Sequence, residues 1–496
     1  MASIDLRDAY YLIPIAESDR KYLRFEFEGK LFQFSCLPFG LSTAPYVFTK
    51  IVKPIISDLR RKGLLSVVYL DDFLLFGKSH DECVSNVLQT RIALENLGFI
   101  INEEKSQLSP VQRCKYLGFV FDSNQMTIEL PKEKKLRALE TMSKFIVNRK
   151  YKIREFAQMV GSIVSCCPAV KFGYAHIKSL EREKFLALEE NNGNYDASMT
   201  LSNNVKTDLL WWKRNIQKTC NSINALNFQL EIYSDASLTG WGAACGNETA
   251  HGSWDASERS KHINFLELKA AFFGLKCFAK HLRSTDILLR IDNTTAISYI
   301  NRMGGVQNVR LNRITQEIWG WCEARDIILF ASYISSKDNF IADAESRKIE
   351  PETEYELANE AFEKISTTLG KPQIDLFASR VNTKCKNYFS WFKDPNSLSV
   401  DAFTKLWTDF YFYAFPPFAI ILRVLRKIRD DKAVGIVVVP EWPAQPWFPL
   451  FYSMLVSEPI NLKPNINLLT SCNREPHPLW RHLTEILHLD HEEEAQ

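Results

Sequence analysis

The stretch VVYLDDFLLF, residues 67–76, places two adjacent carboxylates between two apolar runs. Asp tolerates turn geometry, so the pattern predicts two strands joined by a tight turn. Two interpretations of Asp71 and Asp72 stay open on these ten residues alone. They form an ordinary acidic turn, or they offer oxygen ligands to a hard divalent cation, which requires at least one more carboxylate from elsewhere in the chain.

The composition is that of an intracellular globular protein. The 496 residues suffice for about three domains. Hydrophobic residues make up 46% and charged residues 24%, and no apolar run reaches the roughly 18 residues of a membrane span. The N-terminus lacks the layout of a secretory signal, and the 11 cysteines include no CxxC pair. We therefore expect reduced thiols, a cytoplasmic or nuclear location and no membrane partner.

The first 130 residues alternate strand and helix signals, with glycine and capping residues at the expected boundaries. The predicted elements are a hairpin over 22–36 turning at Glu28-Gly29, a helix over 42–63 with a Ser42 N-cap and a Gly63 stop, and a helix over 81–97 ending before Gly98.

A basic segment follows. Residues 132–154 hold nine Lys or Arg against two Glu, interleaved with apolar residues at helical spacing. Such a helix suits a phosphate backbone, although a solvated helix face is the more frequent cause, and both interpretations stay open. The polar stretch 189–204 is interpreted as a linker.

The third carboxylate for the acidic hairpin is found near the start, in SIDLRDAYYLIPI, where Asp5 ends a short strand-like run. Nucleotidyl transfer uses two cations about 3.5–4 Å apart, so its carboxylates must converge from two strands. Asp5, Asp71 and Asp72 provide such a set. Tyr10 follows at a distance that would place its ring beside an incoming sugar, unless it is a core aromatic.

At this point the sequence resembles the palm of reverse transcriptases, through five motifs in the family's order. These are Asp5-Leu6-Arg7-Asp8-Ala9-Tyr10, Leu37-Pro38-Phe39-Gly40-Leu41-Ser42, Tyr69-Leu70-Asp71-Asp72, the segment from Leu97-Gly98-Phe99 to Lys105, and Tyr116-Leu117-Gly118-Phe119.

The resemblance implies roles for these residues. Asp5, Asp71 and Asp72 would hold two Mg²⁺ or Mn²⁺ ions, and Tyr10 would be the steric gate that senses a 2′-hydroxyl. The other implied contacts are Phe39 and Gly40 with template and nucleotide, Lys105 with the phosphates, and Leu117 and Gly118 with the primer. The implied partners are an RNA template, a DNA primer and deoxynucleoside triphosphates, and the basic segment after 131 would be the thumb.

One departure from the family lies at the start of the sequence. The fingers subdomain of these enzymes precedes the first catalytic motif and carries basic residues that hold the triphosphate, whereas this sequence opens just before that motif. Such charge stabilisation is often the largest catalytic contribution. We therefore expect that the chain as given polymerises poorly unless a longer natural product supplies those residues.

A second set of acids lies between 229 and 347. Asp235 ends the strand-like LEIYSD, Asp292 ends ILLRID, and Asp343 lies in NFIADAESR. Each alone is an ordinary turn or surface residue. Glu267, however, lies within an apolar helical stretch, where an unpaired charge is costly unless a cation neutralises it. Four such carboxylates can converge on two metals that activate water against a phosphodiester.

This region is similar to RNase H through YSDAS, NFLELKAA, RIDNTTA and NFIADAESR, in the family's order. The resemblance implies that Asp235, Glu267, Asp292 and Asp343 bind two metal ions and act on an RNA–DNA hybrid. Tyr333 stands where many relatives have a His, so an auxiliary residue that helps product release would be lacking.

Residues 373–475 resemble, more weakly, the methyltransferase-like segment that follows RNase H in retroelements of the DIRS type, which use a tyrosine recombinase. The run YAFPPF carries this resemblance, and IVVVP reads as a central strand. A compact aromatic core with a Pro-rich turn is the alternative. Phe415 precedes the Pro-Pro pair where active amino-methyltransferases carry a hydrogen-bond acceptor. We also find no Gly-rich cofactor loop, and therefore expect a relic or binding module.

Together the sequence predicts a multidomain α+β and α/β protein. Its predicted parts are a palm of antiparallel sheet and helices at 1–130, a helical thumb and connection at 131–228, an RNase H-like mixed α/β domain at 229–347, a linker at 348–372, a small methyltransferase-like α/β domain at 373–475 and a tail at 476–496.

Three functional hypotheses remain. The leading one is a retroelement RNA-directed DNA polymerase and ribonuclease H, with an element-encoded recombinase or capsid-like protein as a possible partner. The second is a truncated nucleic-acid-binding remnant without catalysis. The third is a gene remnant whose product is rarely made, against which the intact acids at seven positions argue.

Overall fold

The computed structural model describes residues 1–218, 220–348, 355–463, 465–471, 476–478 and 485–489. The chain forms two compact units, Met1–Ala225 and Leu226–Gln496. Within the described residues, every helix is too short or too polar to cross a membrane.

The first unit opens with a four-stranded antiparallel sheet, in the order Ser66–Tyr69, Asp72–Leu75, Ala2–Arg7 and Ile100–Ile101. Alternate residues of Ala2–Arg7 are buried, as a sheet with one covered face requires. The helices Ala44–Arg61 and His80–Glu95 contribute apolar side chains to the core beneath this sheet. This arrangement of antiparallel sheet and helices is the one expected for 1–130.

Two predicted turns are confirmed. Ser66–Tyr69 and Asp72–Leu75 are joined by the two residues Leu70 and Asp71. The strands Arg24–Phe27 and Lys30–Gln33 turn at Glu28 and Gly29, whose φ values of 50° and 71° fit the left-handed turn that pairs best with twisted strands.

The helix boundaries differ slightly from expectation. The predicted Ser42 cap is wrong: the helix begins at Ala44 after Thr43, with Pro45 in its first turn, where a missing N–H costs nothing. The next helix, His80–Glu95, is capped by the Ser79 hydroxyl, which accepts a hydrogen bond from Glu82 N at 3.2 Å.

The prediction of one basic helix over 132–154 is wrong. The helix Lys132–Ser143 ends, and Asn148 has a φ of 62° before the strand Lys150–Lys152 begins. That strand pairs with Ser198–Thr200, so the polar stretch 189–204 is part of the folded unit and not a linker. The following helix, Ile153–Val164, buries one apolar face in the core of this unit.

The rest of the first unit combines a second sheet with helices around one core. The sheet runs Asn221–Ser222, Thr127–Glu129, Phe119–Asp122 and Arg113–Tyr116, and the remaining helices are Lys178–Glu190 and Lys206–Asn215.

The second unit begins with a five-stranded mixed sheet, as the sequence predicts. Its strands lie in the order Glu248–Ser253, Gly240–Cys245, Phe228–Ala236, Asp286–Ile291 and Ile328–Tyr333; the first three are antiparallel and the last two run parallel to Phe228–Ala236. Its helices are Ala256–Arg259, Ile263–Phe278, Thr294–Asn301, Val309–Glu323 and Phe340–Ser346.

The C-terminal sheet has seven strands. They lie in the order Ser399–Val400, Asn387–Ser390, Ile374–Asp375, Phe412–Ala414, Gly435–Val439, Glu485–Leu489 and Ile460–Asn461. The first five are parallel, and Glu485–Leu489 is antiparallel to both neighbours. The predicted central strand is confirmed, since all of Gly435–Val439 is buried. The helices Ile421–Asp431 and Phe448–Ser453 complete this region.

The segment expected to be a linker, 348–372, is structured where it is described. It holds the strand Glu356–Leu357 and the helix Asn359–Leu369, whose Ile365 is buried with Tyr413 and Ile436 of the C-terminal sheet. Apolar residues at helical spacing among the charges give this helix a buried face. Of the expected tail, Glu485–Leu489 is a strand, whereas HEEEAQ lies outside the described residues.

Candidate active sites

Strand pairing brings the first two acids of the palm together. Asp5 and Asp72 are Cα partners on the antiparallel strands Ala2–Arg7 and Asp72–Leu75. Asp71 lies in the adjoining turn, where its backbone oxygen accepts a hydrogen bond from Leu6 N at 3.1 Å. Leu70 in the same turn has a φ of 55°, a sparsely populated conformation for a branched residue. The three predicted palm acids are therefore neighbours around the Leu70-Asp71 turn. Their carboxylate oxygens do not all lie within 4.8 Å of one another, the spacing at which three side chains could share one ion.

The palm acids repel one another. Burial raises the pKa of Asp72 above its ordinary value, and the charges of Asp71 and Asp5 raise it further. Lys105 acts in the opposite direction, which places its positive charge near this carboxyl group. Like charges held together in this way favour a proton or a cation.

Tyr10 is both a core aromatic and a neighbour of the acids. Tyr10 is 9% exposed, and its ring centroid lies 5.0 Å from those of Phe39 and Phe48. Burial, followed by the charge of Asp71, raises the pKa of the Tyr10 hydroxyl. Gly40 has a φ of 88°, which only glycine adopts readily, so this turn presents Phe39 beside Tyr10.

Leu117 and Gly118 form a third two-residue turn, between Arg113–Tyr116 and Phe119–Asp122. The preceding Tyr116 hydroxyl lies 3.4 Å from the backbone oxygen of Asp72. Burial raises the pKa of Tyr116 to about 12, so this hydroxyl stays protonated and can donate. The turn is thus tied to the strand that begins with Asp72.

The second acid cluster lies in the mixed sheet. Asp235 is the penultimate residue of Phe228–Ala236, Asp292 follows Asp286–Ile291, and Glu267 lies on the helix Ile263–Phe278. The strands run parallel, so their carboxyl ends meet at one edge. One oxygen from each of the three acids lies within 4.8 Å of the other two. In the described part of the chain, this is the sole group of three acidic, His or Cys side chains with that spacing.

The cluster has the character of a cation site. Glu267 and Asp235 are 4% and 5% exposed, and in each one carboxylate oxygen, Oε2 and Oδ2, is buried without a hydrogen-bond partner. Burial, then the charges of Asp235 and Asp292, raises the pKa of Glu267 to about 9. Burial also raises the pKa of Asp235. Unpartnered carboxylate oxygens in this arrangement fit a hard divalent cation.

Asp343, the fourth predicted acid, does not join that three-residue group. It lies on Phe340–Ser346, where Arg347 bonds its Oδ1 from Nη2 at 2.6 Å. The charge of Asp343 still raises the pKa of Asp235, so the two carboxylates are neighbours.

Two residues at these sites were missed by sequence reasoning. Ser336 donates to Asp292 Oδ2 at 2.7 Å, and the Ser106 hydroxyl accepts a hydrogen bond from Asp5 N at 3.0 Å. The sequence around each serine gave no indication of this contact, because each serine is far from its acid along the chain and meets it only in the folded protein. Arg347 was not singled out from the sequence either, although its i,i+4 spacing from Asp343 could have indicated the pair. Tyr333, at the position where a His was expected, is 59% exposed.

A cleft of about 910 Å³ lies in the second unit, at the carboxyl ends of three parallel strands of the C-terminal sheet. Phe415, Pro416 and Pro417 line it. Asp394, its acidic residue, already accepts hydrogen bonds from the Tyr388 hydroxyl and from Arg380 N. Ligands commonly bind at such an edge.

The family model that matches this chain covers the start of the first unit. Residues 1–121 match the family model described as reverse transcriptase (RNA-dependent DNA polymerase). The chain is 32% identical over 116 residues to the Transposon Tf2-3 polyprotein of Schizosaccharomyces pombe, covering 23% of this chain and 8% of that protein. It is 29% identical over 153 residues to the Gag-Pol polyprotein of Rous sarcoma virus, covering 29% of this chain and 9% of that protein.

The chain thus spans less than a tenth of the length of these curated relatives. Among solved structures, foamy viral protease-reverse transcriptase in complex with RNA/DNA hybrid is 16% identical with a TM-score of 0.40, over 72% of this chain and 47% of that one. The same protein in complex with dsDNA is 16% identical with a TM-score of 0.39, and the match covers 68% of this chain and 67% of that one. Residues 1–121 are therefore similar to the reverse transcriptase domain of retrotransposon and retroviral polyproteins.

Proposed function

We propose that this chain is a polymerase and nuclease segment of a retroelement polyprotein, which copies RNA into DNA at the palm and cleaves the RNA strand of RNA–DNA hybrids at the second acid cluster. The observation that carries the nuclease proposal is the convergence of Asp235, Glu267 and Asp292 with two buried, unpartnered carboxylate oxygens. The polymerase proposal rests on the family match of residues 1–121 and on the pairing of Asp5 with Asp72.

At the nuclease site, Asp235, Glu267 and Asp292 would hold a divalent cation, Mg²⁺ or Mn²⁺, with Asp343 beside them. When bound, a pair of such ions supplies an activated water and stabilises the charge that develops on the phosphate. Ser336 keeps Asp292 oriented through its 2.7 Å hydrogen bond. Burial of Glu267 excludes water from the inner side of the cluster, so a metal-free site holds a proton instead.

At the palm, Asp5, Asp71 and Asp72 would hold two ions, with Lys105 as the nearby cation for phosphate groups. Tyr10 stands between the acids and the hydrophobic core, where its ring would limit the room for a ribose 2′-hydroxyl. Phe39, Gly40, Leu117 and Gly118 are the proposed contacts with template, nucleotide and primer. The proposed partners are an RNA template, a DNA primer, their hybrid and deoxynucleoside triphosphates.

For the C-terminal region we propose a methyltransferase-like domain of DIRS type that has no transferase activity. Five parallel strands followed by an antiparallel strand support this assignment. Phe415 before Pro416-Pro417 cannot accept a hydrogen bond from a substrate amine. Asp394 is occupied by internal hydrogen bonds.

The test is cleavage of an RNA strand labelled at its end and annealed to DNA, with Mg²⁺ or with EDTA. Wild type is compared with Asp292→Asn and with the control Glu317→Gln, an acid on the helix Val309–Glu323 away from the cluster. We expect cleavage by wild type and Glu317→Gln, and loss of at least about a hundredfold in Asp292→Asn. Salt-sensitive binding of the hybrid without cleavage would replace the enzyme with a nucleic-acid-binding module.

The palm is tested separately by primer extension on an RNA template. Asp72→Asn should abolish any Mg²⁺-dependent extension that wild type supports, whereas Asp81→Asn, at an exposed acid near the start of the helix His80–Glu95, should not. Extension that survives Asp72→Asn would contradict the proposed metal role.

A further inference from the structure

One buried arginine of the C-terminal domain, Arg380, makes several contacts with the nuclease-like domain. Arg380 Nη1 and Nη2 donate to the two carboxylate oxygens of Glu258 at 3.2 and 2.8 Å. Nη2 also donates to Ser253 O at 2.9 Å, and Nη1 lies 3.5 Å from Asp255. The side chains of Arg380 and Glu258 are only 12% and 9% exposed. A two-pronged pair removed from water in this way fixes geometry far more strongly than a surface ion pair.

The same guanidinium contacts the helix that carries Glu267. Its carbon lies 4.6 Å from the ring centroid of Phe273, on Ile263–Phe278. Phe273 in turn packs against Trp241 and Trp254, and its cluster includes Leu266, the neighbour of Glu267. Arg380 of the C-terminal domain therefore packs against the hydrophobic cluster of the nuclease-like domain that includes the helix bearing Glu267.

A second contact secures the far end of that helix. Lys276 Nζ lies 3.4 Å from Asn396 Oδ1, and Lys280 Nζ donates to Ser397 O at 2.8 Å. Lys393, from the same C-terminal loop, pairs with Glu248 at 3.0 Å on the edge strand of the nuclease-like sheet. The C-terminal domain thus holds this helix and the edge of the sheet at several points.

Glu267 has particular need of such support. Its carboxyl group is buried among other acids, and a cation can be bound only if the helix keeps it within reach of Asp235 and Asp292. We propose that Arg380 is a positioning residue for the nuclease-like site, and that the C-terminal domain serves as a buttress for the helix that bears Glu267. The metal role of Glu267 in this inference rests on the proposed function.

The experiment compares the whole chain carrying Arg380→Ala with the whole chain carrying Arg423→Ala. Arg423 lies over the ring of Phe403 at 3.8 Å within the C-terminal domain, so it is an exposed arginine with a similar ring contact that stays inside one domain. Two readouts are used, neither of which requires turnover. They are amide hydrogen exchange of residues 263–278 in EDTA, and Mn²⁺ affinity by calorimetry.

We expect Arg380→Ala to speed exchange over 263–278 at least about tenfold and to weaken Mn²⁺ binding about 10- to 100-fold, as loss of residues that orient metal ligands commonly does. Arg423→Ala should change neither quantity. The charge-swapped pair Arg380→Glu with Glu258→Arg should recover part of the affinity, which a general loss of stability would not allow.

Unchanged exchange over 263–278 in a folded Arg380→Ala chain would overturn the inference, as would an equal effect of Arg423→Ala. A wild-type chain that binds no Mn²⁺ would contradict the proposed metal site. The exchange measurement would still decide whether Arg380 holds the helix, so the two failures are distinguishable.

Discussion

Arg347 donates two hydrogen bonds to the same oxygen of Asp343, from Nε at 3.1 Å and from Nη2 at 2.6 Å. The guanidinium lies on the open side of the acid cluster, where its side chain is 65% exposed. The hydrogen bond with Asp343 and its charge raise the pKa of Arg347, and the charge of Asp235 adds to this effect. A cation is therefore already in place beside the acids, and under the proposed function it would compete with a metal ion for Asp343.

Arg347→Ala should tighten Mn²⁺ binding to the metal-free protein. An exposed ion pair is worth about 0.2–1 kcal/mol, so the Kd measured by calorimetry should fall by up to about fivefold. The Kd of Arg347→Lys for Mn²⁺ should lie between those of wild type and Arg347→Ala. The control is Arg313→Ala, which breaks another i,i+4 pair of the same unit, with Glu317 at 3.9 Å. Unchanged or weaker binding in Arg347→Ala would contradict the competition.

Glu267 should make the stability of the metal-free chain depend on pH. Its pKa is raised to about 9 from the ordinary value of 4.5, so between these values the folded state binds more protons than the unfolded state. Its stabilising contribution is complete below 4.5 and is lost as the pH rises through about 9. The slope from this group is at most about 1.4 kcal/mol per pH unit.

Urea unfolding in EDTA at pH 5, 7 and 9 measures this dependence. Glu267→Gln should flatten the decline relative to wild type and should be the more stable protein at pH 9. Glu317→Gln, which replaces a half-exposed acid, should follow wild type. A wild-type slope that survives in Glu267→Gln would assign the dependence to another group.

The turns and strand ends of this protein were predictable because their signals are local. The Glu28-Gly29 turn and the turn that contains Asp71 each carry their turn chemistry within a few residues. Asp235 and Asp292 could be placed together because parallel strands end at one edge. The single helix predicted over 132–154 failed for the opposite reason. Lys150–Lys152 finds its partner in Ser198–Thr200, almost fifty residues away, and no local pattern reports that pairing.

The candidate sites show the same division. The acidic residues and their order along the chain could be identified from the sequence, whereas the side chains that orient these acids could not. Ser336 meets Asp292 only because the chain after the last strand of the mixed sheet returns over its edge. Arg380 lies in a different domain from the helix it contacts, so periodicity along either segment gives no sign of the contact.

The pKa of Asp72 should respond in opposite directions to two neighbours. Asp71→Asn removes a like charge and should lower it, whereas Lys105→Ala removes a favourable charge and should raise it. Carbon-13 NMR titration of labelled aspartate carboxyl groups measures both shifts. Asp81→Asn should leave the titration unchanged. Equal shifts of the same sign in the two variants would show that Asp72 does not sense these charges directly.

Gly242→Ala should displace the helix that carries Asp343. A Cβ at Gly242 would clash with Ala342 O and Ser346 N, both backbone atoms that cannot rotate away. Overpacking of this kind costs about 1–3 kcal/mol and shifts the offending element. The helix Phe340–Ser346 would have to move away from the strand Gly240–Cys245, and Asp343 would move with it. The free energy of unfolding in urea should therefore fall, and RNA cleavage should fall with it.

Gly320→Ala is the matched control, because its Cβ would meet nothing within 4 Å inside the helix Val309–Glu323. There the substitution should add about 0.5–1 kcal/mol of stability through helix propensity. Hydrogen exchange over 340–346 separates the local movement from a general loss of folding: it should rise in Gly242→Ala under conditions where Phe228–Ala236 stays protected. A Gly242→Ala chain as stable as wild type, with unchanged exchange over 340–346, would mean that this helix does not pack against the strand as closely as Gly242 permits.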